Sequence, residues 1–103
     1  MENNNNNNEL KEERAGASIS GSIGSKNVQV KISSKFKKPW SIDLKHTYKD
    51  GGYTVTRTHK KFDIGVSVTS CNMVLERAIS RGDKISVVCQ AYGETSKTGS
   101  RTF

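Results

Sequence analysis

The stretch "KPWSIDLKHTYKDGGYTV", residues 38–55, decides the fold class. From Trp40 to Tyr48 every second residue is apolar or aromatic, apart from one histidine, and hydrophilic residues take the positions between. A period of two is typical of a β-strand with one buried face. The run Asp50-Gly51-Gly52 then supplies a tight turn, because glycine reaches positive φ without strain. The stretch therefore predicts a β-hairpin, and its core face carries Trp40, Ile42, Leu44, His46 and Tyr48.

Five other segments show strand patterns. "NVQVKIS" at 27–33 alternates cleanly, and "KISVVCQAY" at 84–92 has apolar residues on both faces, which predicts a central strand covered on each side. "ASISGSI" at 17–23 predicts a weak edge strand, and "SRTF" at 100–103 a short one. "KKFDIGVSVTS" at 60–70 predicts a strand with an inward set of four residues, Phe62, Ile64, Val66 and Val68.

The segment "CNMVLERAISRGDK" at 71–84 fits two patterns. Val74, Leu75, Ala78 and Ile79 have helical spacing, and Gly82 would end such a helix. Alternate apolar residues in the same segment also fit a strand followed by a glycine-containing turn. The strand is favoured, and a helix over 72–80 stays open. The tripeptide Arg81-Gly82-Asp83 is predicted to be part of that turn.

Six or seven short strands without a long helix predict an all-β fold, a small two-layer β-sandwich, with a small β-barrel as runner-up. Residues 1–16 are predicted to be a disordered, acidic leader, because 3–8 are six asparagines and "ELKEERAG" at 9–16 supports only a fraying turn or two of helix. Residues 17–103 then form the sandwich domain. With 32% hydrophobic residues, its core is expected to be small.

Charge is distributed unevenly along the chain. Residues 1–14 carry a net charge of −2, whereas residues 15–103 carry 15 basic against 6 acidic side chains, a net charge of +9. A body this basic attracts polyanions. Phe36 and Trp40, if partly exposed beside Pro39, would add apolar contact. The predicted ligand-binding residues are Lys35, Phe36, Lys37, Lys38, Trp40, Lys45, Lys49, Arg57, Lys60 and Lys61.

Catalytic signatures are missing from the sequence. His46 and His59 are expected to be near neighbours across the hairpin, but two histidines do not complete a zinc site. No nucleophile elbow, zinc-protease motif or phosphate loop occurs. We therefore expect no catalytic residue, no metal and no cofactor, and predict that the protein is not an enzyme. Cys71 and Cys89 are expected to be reduced and partly buried, with a disulfide between two strands as the alternative.

Two motifs resemble a known group of proteins. "VxVxI" at 28–32 and "PWxIxL" at 39–44, followed by a basic, aromatic hairpin, are similar to the opening of small cytolysin-type or lectin-type β-sandwiches, the aegerolysins and the actinoporin-like group. The likeness covers residues 28–68. It implies a compact sandwich that binds lipid head groups or glycans. The asparagine tract resembles the simple-sequence insertions of some protist proteins.

The favoured function is non-enzymatic binding of an anionic ligand by the basic face, either an acidic membrane surface or a glycan. Single-stranded nucleic acid is the second candidate, since bases stack on aromatic rings in basic grooves. An immunoglobulin-like module that binds a protein through an edge strand is the third. The oligomeric state stays open. No apolar run of membrane-spanning length and no signal peptide occur, so a cytoplasmic location is expected.

Overall fold

A computed structural model describes residues 11–103, and these form eight β-strands in two antiparallel sheets. The strands are β1 (Lys11–Ala15), β2 (Ala17–Ser20), β3 (Asn27–Ile32), β4 (Trp40–Asp50), β5 (Tyr53–Ile64), β6 (Ser70–Val74), β7 (Lys84–Ala91) and β8 (Lys97–Thr102). One sheet has the order β1-β8-β7-β4-β5 and the other the order β2-β3-β6. The predicted all-β sandwich class is confirmed, although the described chain has eight strands rather than six or seven.

The hairpin of β4 and β5 forms as the sequence predicts. Asp50 faces Tyr53 across a two-residue turn, and both turn glycines have positive φ, 57° at Gly51 and 90° at Gly52. Such a turn matches the right-handed twist of the two strands it joins. His46 pairs with Arg57, so the turn also fixes the register of the longest strand pair.

The core lies between the two sheets and is built by alternate residues of β2, β3, β4, β6 and β7. On β4 the predicted inward set, Trp40 to Tyr48 in steps of two, is buried throughout. The buried residues of β3 and β7 also follow strict alternation. Because side chains on a strand point alternately to opposite faces, these inward sets meet as one apolar layer. Phe103, the last residue, closes one margin of the core.

The N-terminal prediction needs a correction. Lys11–Ala15 is a strand, not a fraying helix, and it begins inside the segment 1–16 assigned to the leader. It pairs with β8, so β8 lies between β1 and β7 instead of at an edge. The local sequence does not indicate a strand here, and the strand forms because it pairs with β8, which is distant in the sequence. The asparagine tract, residues 3–8, lies outside the described residues.

The prediction for residues 62–68 is also wrong in part. Ile64 is buried, but Phe62, Val66 and Val68 are 67%, 42% and 37% exposed. A register shift opposite Ser41 breaks the alternation just before Ile64, the last residue of β5, so Phe62 and Ile64 do not share a face. The valines then lie in a loop, closed by a hydrogen bond from the Val68 amide to the Gly65 carbonyl at 3.0 Å.

β7 is central in its sheet, as predicted, but only one of its faces is covered. Val88 on the other face is half-buried, and Tyr92 just beyond the strand is 85% exposed. The three-stranded sheet covers only one face of the five-stranded sheet. The opposite side of the five-stranded sheet, here called the outer face, carries mainly threonine, serine and lysine.

After β6, residues 75–83 form turns and irregular structure, so the strand-and-turn prediction is confirmed and the helix over 72–80 is wrong. Asp83 of the Arg-Gly-Asp tripeptide is buried. Its carboxylate accepts hydrogen bonds from the Ser80 amide at 2.9 Å and from His46 Nε2, 2.7 Å away. The tripeptide is thus part of a turn tied into the core. Cys71 and Cys89 are free thiols, and both are buried.

Candidate functional site

Three loops meet at the end of the sandwich where β4 begins. Trp40, the first residue of β4, pairs with Ile64 at the end of β5 and with Ala91 at the end of β7. The loops 33–39, 65–69 and 92–96 therefore adjoin one another. We call the surface that they form, together with Phe62, the loop end.

Specific hydrogen bonds tie the three loops together. The Glu94 carboxylate accepts from the backbone amides of Lys37 at 3.0 Å and Lys38 at 3.1 Å. The Trp40 indole Nε1 donates to the carbonyl oxygens of Gly65 at 3.3 Å and Val68 at 3.2 Å. The loops are thus positioned by fixed partners. A surface held in this way needs little ordering when it binds, which favours affinity.

Phe36 and Trp40 do not serve as exposed contacts. They are 3% and 2% exposed, and their ring centroids lie 5.6 Å apart. The expectation that they provide apolar contact for a ligand is therefore wrong. Phe36, in the loop 33–39, and Trp40, the first residue of β4, instead anchor that loop to the core.

The loop end does carry three of the predicted lysines. Lys35, Lys37 and Lys38 are all exposed. The ammonium group of Lys38 lies 5.2 Å from the ring centroid of Tyr92, within cation–π distance. Within residues 11–103, the ammonium groups of Lys35 and Lys37 have no hydrogen-bond or ion-pair partner. These charges are free to meet an anionic ligand.

The other predicted basic residues do not join them in one patch. Lys60 pairs with Asp43 at 3.3 Å, and Lys61 Nζ lies 3.4 Å from the Asn72 carbonyl. Lys45 lies halfway along the outer face. Lys49 lies nine residues along β4 from Trp40, roughly 30 Å at the rise of a β-strand, and donates to the Thr54 hydroxyl at 2.8 Å.

Arg57 lies on the face of β5 that is opposite to the outer face. Its Nε donates to the Tyr48 hydroxyl at 3.3 Å and lies 3.6 Å from a Glu76 carboxylate oxygen. The hydrogen bond to Tyr48, with the nearby Glu76 carboxylate as a smaller cause, raises the pKa of Arg57 further above its already high ordinary value. Arg57 is thus a paired, permanently charged residue that lies away from the loop end.

Four apolar side chains project from the loop end, namely Phe62, Val66, Val68 and Tyr92. The sequence pattern predicts the first three in the core and Tyr92 on a second covered face of the strand at 84–92, and the structure exposes all four. The sequence signal that points to them is Gly65 in the middle of an alternating run. In the structure, the successive residues Phe62 and Asp63 both lie opposite the single residue Ser41. A bulge of this kind redirects side chains at the end of a strand.

The two histidines take different roles. His46 is fully buried and bonded to Asp83, whereas His59 is half-buried on β5. Residues 11–103 contain no group of three or more potential metal ligands. The described part of the chain also has no helix that is long and apolar enough to cross a membrane.

Comparison with family models, curated proteins and solved structures finds no match for the chain.

Proposed function

We propose that the protein binds acidic membrane surfaces peripherally, with the loop end facing the bilayer. The observation that carries this proposal is the combination of exposed apolar side chains and exposed lysines on three adjoining loops. Apolar groups that enter the head-group region and a basic rim that attracts anionic lipid are the two components of reversible membrane docking. Away from the loop end, Arg57, Lys60 and Arg77 each lie beside a carboxylate that offsets their charge.

The charge component comes from Lys35, Lys37 and Lys38. Near an anionic leaflet each lysine contributes about 1 kcal/mol, so the three together give about 3 kcal/mol, or roughly a hundredfold in affinity. Glu94 lies among them, but its carboxylate already accepts two backbone hydrogen bonds. Salt weakens this component, because the attraction is screened within about 10 Å at 0.1 M ionic strength.

The apolar component comes from Val66 and Val68 at the tip of their loop, with Phe62 and Tyr92 beside them. Complete burial of an aliphatic side chain contributes about 1.5–3 kcal/mol. The two valines are only partly exposed, so we assign about 1 kcal/mol to each. Removal of both is then expected to weaken binding by roughly a factor of 30.

Single-stranded nucleic acid fits this surface less well. Its binding needs rings that accept stacked bases along a continuous basic groove. Phe36 and Trp40 are buried, and the basic residues are divided between the two ends and two faces of β4 and β5. A polyanion lying on the outer face would also meet Asp43. These features favour the membrane over nucleic acid.

Vesicle sedimentation of the full chain tests the proposal. We expect binding to vesicles of phosphatidylcholine with phosphatidylserine and not to phosphatidylcholine alone. The triple variant Lys35→Gln, Lys37→Gln, Lys38→Gln and the double variant Val66→Ser, Val68→Ser should each lose most of that binding. A charge-matched control, Lys45→Gln, Lys49→Gln, Lys84→Gln on the outer face, should keep it. Equal loss in the control and the loop-end triple variant would show that net charge alone acts and would refute the proposal.

A further inference from the structure

A shallow trough opens on the outer face beside the loop end. Its cavity volume is about 320 Å³, and its walls are formed by three neighbouring strands. β4 contributes the small residue Ser41, while β5 contributes Phe62 and Asp63, and β7 with its following loop contributes Gln90 and Tyr92. Because adjacent strands are about 4.8 Å apart, the walls on β5 and β7 stand roughly 10 Å from each other. The gap above Ser41 is thus about one ring wide.

The β-bulge explains why an aromatic ring and a carboxylate lie side by side in this trough. Ile42 pairs with Lys61 and Trp40 with Ile64, so Ser41 alone faces both Phe62 and Asp63. Asp63 has a φ of 55°, the only positive φ at a non-glycine residue in the described chain. Bulges and left-handed residues of this kind are frequent at functional sites, where they direct side chains toward a ligand.

We propose that this trough binds one neutral sugar unit of a glycan. The C–H face of a pyranose packs on aromatic rings, which Phe62 and Tyr92 provide on opposite walls. Sugar hydroxyl groups both donate and accept hydrogen bonds, so a site for them must offer donors and acceptors. The Gln90 amide supplies both, the Ser41 hydroxyl supplies both, and the Asp63 carboxylate accepts. Apolar walls with a few convergent polar groups are the usual composition of a small-ligand site.

Two other ligand classes fit the trough less well. A quaternary ammonium ion would find two rings and a carboxylate, but the ammonium group of Lys38 already lies 5.2 Å from the Tyr92 ring centroid. A second cation there would be repelled. A nucleotide would bring its phosphate close to Asp63 and Asp43, which is unfavourable for the same reason. A neutral polyol has neither conflict.

The sugar site shares the loop end with the proposed membrane contact but does not depend on it, because a soluble glycoside needs no bilayer. The test titrates the ¹⁵N-labelled full chain with methyl glycosides of glucose, galactose, mannose and N-acetylglucosamine. We expect at least one of them to shift the amides of 39–41, 62–63 and 90–92. Asp63→Asn and Phe62→Ser should weaken that binding about tenfold or more. The control Tyr53→Ser removes an equally exposed ring at the other end of β5 and should change nothing.

Two further comparisons complete the test. The Lys35, Lys37, Lys38 triple variant should keep sugar binding, and Asp63→Asn should keep binding to acidic vesicles, so the two proposals fail separately. Neutral phosphatidylcholine vesicles with galactosylceramide distinguish a lipid head group from a free glycan, and binding of either source supports the trough. The inference is overturned if no glycoside and no galactosylceramide vesicle binds. It is also overturned if tetramethylammonium or a nucleotide binds there while the sugars do not.

Discussion

The buried pair of His46 and Asp83 allows a quantitative prediction about stability. Both side chains are almost fully buried, with His46 Nε2 and Asp83 Oδ2 2.7 Å apart, and the same oxygen accepts from the Ser80 amide at 2.9 Å. The substitution Asp83→Ala removes the partner of the buried His46 Nε2 and of the partly buried Ser80 amide. Each such group left without a partner costs about 1–3 kcal/mol. We therefore expect a loss of about 3–4 kcal/mol.

Urea unfolding followed by the emission of Trp40, the single tryptophan, measures this loss. Small domains have m-values of about 1 kcal/mol per M in urea, so the midpoint should fall by about 3 M. The control Asp50→Ala breaks an exposed pair with Arg77 at 3.5 Å and should cost less than about 1 kcal/mol. In a His46→Leu background, Asp83→Ala should cost clearly less, because its partner is already gone. An equal cost in both backgrounds would refute the reasoning.

Three further predictions concern the buried residues Gly99, Cys89 and Trp40. Gly99→Ala should destabilise by about 2 kcal/mol or more in the same urea assay, because its Cβ would clash with the Ala17 carbonyl oxygen. The control Gly65→Ala, whose Cβ would have nothing nearer than 3.8 Å, should have little effect. Burial, with the nearby Cys71 as a smaller cause, raises the pKa of Cys89 to about 12 from 9.0. The contribution of the neutral thiol to stability is complete below pH 9 and is lost as the pH rises toward 12, so the urea midpoint should fall more steeply in the wild type than in Cys89→Val. Trp40 emission should be blue-shifted in the free protein and unchanged by acidic vesicles or oligonucleotides, because the ring is 2% exposed; a further shift with vesicles would show that the loop end rearranges on binding.

Local pattern predicted the parts of the fold in which one face is buried along a whole strand. β4 and the hairpin turn follow from alternation and from two glycines, and the register follows from the turn. β1 was missed because Lys11–Ala15 has no apolar alternation and is a strand only through its pairing with β8. The end of β5 was missed because a bulge reverses the parity of the residues after it, which sequence alternation alone does not show.

The candidate site could be predicted only in part, because it too depends on strand pairing that the local sequence pattern does not show. Lys35, Lys37 and Lys38 were identified from charge, and the loop that carries them does reach the surface. Phe36 and Trp40 are predicted ligand contacts although the parity of Trp40 favours the core, and the structure buries both. The exposed apolar residues come from segments distant in sequence, and only the pairing of β4 with β5 and β7 brings Phe62, Val68 and Tyr92 to one end.

The most direct test of membrane docking is the orientation of the protein on a bilayer. The ¹⁵N-labelled chain would be bound to nanodiscs of phosphatidylcholine and phosphatidylserine that contain a gadolinium-chelating lipid, and the broadening of each backbone amide would be measured. Docking by the loop end predicts strong broadening for the loop 65–69 and for residues 35–38, and little for the turn at 50–53, roughly 30 Å away along β4. Strongest broadening at 50–53, or equal broadening at both ends, would contradict it.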